Sequence, residues 1–243
     1  MNPQTTRRLA ATGMASAAAL AIAGFTALGS IFEYPQILQE PTADILDLYR
    51  QHQGAISAWF LVLVIGAAAM APIGLLLGRL VDGERGRWIA RLGVAAAAVQ
   101  VVGLSRWVLL VPGISRDATN PDPARAADAV HRFELFHTWL GTMLGETVGY
   151  ALTAGFTVLV ATTVTRRVAP RAMVWLALLS AALIATGVLV PLGVHLATLT
   201  NFAGYVGWCL WLIGMAAVLW RTPRPITAGT RPAGAIRGSG VTG

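Results

Sequence analysis

The chain has no lysine, a single cysteine and little charge of either sign. All eighteen basic residues are arginine, set against eleven acids, for a net charge of +7. Charged residues make up 12% of 243, about half the share in an ordinary soluble domain, which excludes a solvated shell around a soluble core. One cysteine, Cys209, excludes an intrachain disulfide and reads as a small core residue. There is no phosphate-binding glycine loop, no Gly-x-Ser-x-Gly, no His-Glu-x-x-His and no Asp-rich pair of the prenyl transferase kind. Nor is there the period-two alternation of a membrane β-barrel.

Apolar residues are what the chain has in abundance. They form 56% of it, with a mean hydropathy of +0.64. Crossing a bilayer takes roughly 20 apolar residues in a helix. Six runs meet that length: Leu9–Phe32, Ala55–Gly78, Leu92–Ile114, Leu135–Val164, Ala172–Val194 and Ala197–Trp220. A spanning segment must satisfy its own backbone hydrogen bonds, so each run is predicted to be a helix. The expected fold is an all-α, six-span bundle in the cell membrane, touching membrane lipids. Residues 1–220 form that domain. Residues 221–243 are rich in Pro, Gly, Thr and Arg, lack acids, and are predicted to be a disordered basic tail.

The arginines give the orientation. Thirteen lie in the N-terminal stub, the tail and the connections after runs two and four, whereas Arg50, Arg116, Arg125 and Arg132 lie at the opposite side. By the positive-inside rule both termini are cytoplasmic. This topology explains the net charge without a nucleic-acid partner. Arg7-Arg8 ahead of an apolar run also resembles a secretion signal. Five more runs follow, so a retained first helix is the expectation.

The outer connections carry structure signals. After Pro41, residues Ile45, Leu48, Tyr49 and His52 recur at helical spacing, as in a short amphipathic helix on the outer membrane face. Asp122-Pro123 reads as an N-cap followed by proline at the first helical position. The fourth helix is therefore expected to start above the membrane and enter it unbroken. Trp59, Trp107 and Trp139 at one boundary, and Trp88, Trp175 and Trp220 at the other, read as aromatic belts.

Two charges lie inside the runs, where they are costly. Arg106 is about 8 Å below the outer end of run three. Glu146 is about 15 Å below Phe136, too deep to reach the surface. Glu146 is then protonated, paired with Arg106, or facing a wet cavity. One reading is an ion pair that locks helices three and four; the other is a functional pocket. Gly141, Gly145 and Gly149 form a stripe for close helix contact beside Glu146, with His137 on the same stripe.

All four histidines, His52, His131, His137 and His195, fall at the outer side. His131, Glu134 and His137 are spaced three apart and are candidates for a zinc site, against the plainer reading of a solvated helix entry. Haem between His137 and His195 is a further alternative, but no inner histidine exists for a two-haem path. On an α-helix His137 and Glu146 would point to opposite faces, about 13 Å apart in depth, and would not share one ion.

The segment Phe32-Glu33-Tyr34-Pro35-Gln36-Ile37-Leu38 with Pro41, together with Arg106, Gly145-Glu146 and Gly149-Tyr150, resembles a bacterial family of multi-pass membrane proteins known only as a domain of unknown function. The resemblance implies a six- or seven-helix membrane protein with no assigned activity, and groups Glu33, Arg106 and Glu146 in one site. The expected site is an outward pocket floored by Glu146 and Arg106 and rimmed by Glu33, Tyr34, His137 and His195, binding a small or lipid-like molecule. The alternatives are a membrane enzyme on a lipidic substrate, with Glu146 as general acid or base, a haem- or metal-binding subunit, and a structural partner subunit.

Overall fold

In the computed structural model the described residues are 2–221, without the side chain of His195. The predicted tail therefore lies, beyond Arg221, outside the described residues. Six helices are long and apolar enough to cross a membrane: Pro3–Phe32, Gln53–Gly78, Glu84–Asp117, Pro123–Val168, Arg171–Leu192 and Leu196–Arg221. No strand occurs among the described residues.

Local chemistry sets the ends. Asn2 caps the first span by accepting the Gln4 N–H at 3.0 Å, with Pro3 in the first turn. That span ends at Glu33, whose left-handed backbone (φ 51°) lets its N–H donate to Leu28 O. The fourth span starts as expected. Asp122 accepts the Ala124 N–H at 3.0 Å, Pro123 follows, and the helix runs to Val168. Interruptions in the second, third and fifth spans fall near prolines, which remove a donor. The second span is jointed at Ala69, ahead of Pro72. The third is jointed at Leu110, ahead of Pro112. The fifth tightens into a 3₁₀ turn over Thr186–Leu192 that contains Pro191.

Each span packs on its neighbours in the chain, and the first packs on the sixth. The six thus close a ring. Arg8 lies over the Trp220 ring at 5.8 Å, which puts both helix termini at one end. We call that the Arg-rich end. The other is the capped end, because the short helix Thr42–Gln51 and the turn Gln36–Gln39 lie across it.

The short helix is amphipathic, as its spacing predicts, but its apolar face turns to the protein rather than to lipid. Ile45, Leu46 and Tyr49 are buried in a cluster with Phe32, Phe60, Trp107 and Phe133. Trp107 is the centre of that cluster. It stacks on Phe60 at 4.9 Å and 7° and meets Phe32 edge-on at 5.1 Å. It is fully buried, so it does not belong to the expected aromatic belt. Trp139, Trp88, Trp175 and Trp220 are exposed, as belt residues should be. The Tyr49 hydroxyl donates to Trp107 O at 3.0 Å, just before the joint at Leu110.

Toward the Arg-rich end the packing is of another kind. Gly74 meets Gly93 backbone to backbone, and Gly78 meets Gly86. Ala10, Ala11, Ala17 and Ala18 line the first span's buried face. Lipid tails are as apolar as leucine, so such close backbone approach supplies the association energy. Cys209 is buried among these residues, as expected of a core position.

Candidate functional site

The fourth span changes its winding where it matters most. His137–Val148 is a π-helical stretch of 12 residues between α-helical segments. Two glycines, Gly141 and Gly145, lie inside it, and the Thr147 hydroxyl donates to Thr142 O, five residues back, at 2.9 Å. A π turn holds more residues than the 3.6 of an α turn. Nine residues then make about two turns instead of two and a half. This overturns the expectation that His137 and Glu146 point apart: both line one chamber.

The same stretch seats against the third span through its glycines. A Cβ on Gly145 would lie 3.2 Å from the Gly103 α-carbon. One on Gly141 would lie 2.6 Å from Nη2 of Arg106, so the missing side chain is where the guanidinium rests. Gly149 fits against Gln100. The glycine stripe is therefore packing, as expected, and it also makes room for the charge.

Two chambers lie within the ring. The central one, of about 110 Å³, is lined by Arg106, Gln100, Glu146, Asn201 and the tyrosines Tyr34, Tyr150 and Tyr205, with Phe25 and Trp208. The other, of about 140 Å³, lies toward the capped end and takes in His137, Thr142, Gln39, Pro191 and Thr198. Tyr34, Pro35, Glu146, Tyr150 and Asn201 line both, so they form the partition between the chambers. Gln39 Nε2 donates to Thr198 Oγ1 at 2.9 Å, tying the turn over the mouth to the sixth span.

The charges in the central chamber are only sparsely satisfied by protein. Arg106 is buried; Nη1 donates to Gly103 O at 2.6 Å, its plane lies over Trp107 at 5.2 Å, and Nε has no partner. A guanidinium carries five donors. The close ion pairs among the described residues are Arg50–Asp47, Arg87–Glu84, Arg125–Asp122, Arg132–Asp117 and Arg132–Asp128. Arg106 and Glu146 share the chamber without such a contact, so of the three alternatives for Glu146 a direct pair with Arg106 is not the one seen. Neighbouring aromatics ring the space. Phe25 stacks on Tyr34 at 5.9 Å, and Tyr205 packs on Tyr150 at 5.7 Å and on Trp208 at 6.0 Å. Burial, and then the Glu146 charge, hold the Tyr34 phenol above its ordinary pKa, so it stays a neutral hydrogen-bond donor.

Of the six expected site residues, Tyr34, Arg106, His137 and Glu146 come together across the two chambers. Glu33 does not. It is exposed and serves as the left-handed cap of the first span. The His195 side chain lies outside the described residues. His131 and Glu134 are exposed, and Glu134 accepts the Thr42 hydroxyl at 3.2 Å. Among the described residues no three His, Cys, Asp or Glu are grouped as a metal would need, so the His131, Glu134 and His137 run does not assemble into such a site.

Sequence reasoning missed Gln100, Asn201, Tyr150 and Tyr205 as wall residues. A signal was present. Gln100 and Asn201 are the only amide side chains within the six apolar runs, and both face the chamber. Gln100 Nε2 donates to the Tyr205 hydroxyl at 3.1 Å. Asn201 Nδ2 donates to Ile184 O at 2.8 Å, just before the helix tightens at Thr186.

No curated protein and no solved structure matches the chain. A family model does, over residues 9–215, a stretch that reaches into all six spans and holds both chambers. The chain thus belongs to the family described as a domain of unknown function, DUF4386.

Proposed function

We propose that this is a membrane binding protein that takes a small or lipid-like molecule into the central chamber. The observation that carries this reading is Arg106. It is a buried guanidinium that makes one protein hydrogen bond, beside a carboxylate that does not pair with it. Charges held so in a membrane interior are costly unless something else completes them. A mere structural lock between helices three and four would favour direct contact instead. By the arginine distribution, the capped end faces away from the cytoplasm, and the molecule enters past His137 and the Gln36–Gln39 turn.

The test is native mass spectrometry on gently purified protein. Wild type should retain a molecule that both Glu146→Gln and Arg106→Gln release, with helicity unchanged by circular dichroism. Retention of the same molecule by both folded variants would place it elsewhere and sink the reading.

A further inference from the structure

Accepting the chamber as a binding site, we propose that its ligand is a small zwitterion, with an anionic group at Arg106 and an alkylated ammonium at Glu146. Three features of the chamber carry this.

First, the chamber holds one basic and one acidic side chain, and no close ion pair joins them. A purely anionic ligand would leave Glu146 desolvated next to a second negative charge. A purely cationic one would do the same to Arg106. A molecule carrying both charges completes each at once. Arg106 lines the chamber and makes a single protein hydrogen bond, through Nη1, and a guanidinium with donors to spare suits a carboxylate or phosphate oxygen.

Second, the walls near Glu146 are aromatic. Tyr34, Tyr150 and Tyr205 line the chamber with it, and Phe25 stacks on Tyr34. Aromatic faces attract an alkylated ammonium through the ring quadrupole, and a carboxylate beside them supplies the countercharge.

Third, size excludes much else. The central chamber offers about 110 Å³, and the chamber across the shared wall about 140 Å³. A whole diacyl lipid does not fit. A free zwitterion of a few heavy atoms fits, and so does a zwitterionic headgroup whose tails stay outside.

The experiment titrates glycine betaine into detergent-purified wild type, with tetramethylammonium and acetate as half-probes. A parallel arm reconstitutes the protein with phosphatidylcholine or phosphatidylglycerol and compares the lipid retained. Betaine should bind about tenfold or more tightly than either half. Glu146→Gln should abolish tetramethylammonium binding and spare acetate; Arg106→Gln should do the reverse. The wild-type comparison stands even if a variant does not fold. Selective retention of phosphatidylcholine without betaine binding also supports the zwitterion and assigns it to a headgroup. Equal affinity for betaine and one half-probe, with no preference between the lipids, overturns the zwitterion. So does an uncharged retained molecule, and that result leaves the binding reading intact. No retained molecule and no probe binding would sink both.

Discussion

The two ends of the ring solve the same packing problem with opposite materials. At the capped end, Phe32, Tyr49, Phe60, Trp107 and Phe133 fill the space between helices with rings. At the Arg-rich end, glycines let the backbones of the second and third spans touch and alanines line the first, while Phe156, Trp208 and Trp211 fill the side of the later spans. The difference matters for the chamber, which lies where one regime gives way to the other. Aromatic residues hold the helices far enough apart to leave room, and small residues clamp them below it. A core of one kind throughout would close the chamber or loosen the bundle.

That contrast predicts opposite failures. Trp107→Ala should have the largest effect, costing about 3–5 kcal/mol through the void it leaves, read as a drop in thermal unfolding temperature in detergent. Gly93→Ala should fail by overfilling. Its Cβ would lie 2.7 Å from the Gly74 α-carbon, where no flexible side chain can give way, so a loss of about 1–3 kcal/mol is expected in the same assay. If the alanine at Gly93 were neutral and the one at Trp107 mild, the two regimes would not exist.

Between the regimes, Gly141→Ala tests the seat of the charge. The atoms nearest the new Cβ belong to the guanidinium of Arg106, which can swing aside, so stability should fall by about 1 kcal/mol or less. The displaced charge should still weaken ligand retention, measured by native mass spectrometry. Tyr49→Phe removes the donor to Trp107 O and should cost about 1 kcal/mol in chemical unfolding. Smallest of all, Glu33→Gly replaces a left-handed non-glycine cap and should stabilise by up to about 1 kcal/mol, without changing retention. A loss of retention in that variant would return Glu33 to the site.

The architecture was legible because membrane crossing imposes length and apolarity that few sequences meet by chance. Six runs, the Asp122 cap and the amphipathic Thr42–Gln51 helix all followed from spacing. The site was legible only in part, and the reason is winding. Faces were assigned on 3.6 residues per turn, and nothing in the periodicity of His137–Val148 announces a π stretch. Arg106 and Glu146 were visible as charges in apolar runs, yet their lack of direct contact needs three dimensions. Glu33 lies apart from both chambers, since a charged residue at a helix end can serve the backbone as well as a ligand. Trp107 misled because depth along a helix does not say which way a side chain faces.

Packing of the first span on the last has a consequence of its own. With Arg8 against Trp220, the polypeptide is close to a closed circle of six helices whose order in space is independent of where the thread begins. A linker joining residues 221 and 2 would make the cut point a free choice. Circular permutants opened at Ala118–Asp122, away from both chambers, should therefore assemble the same ring.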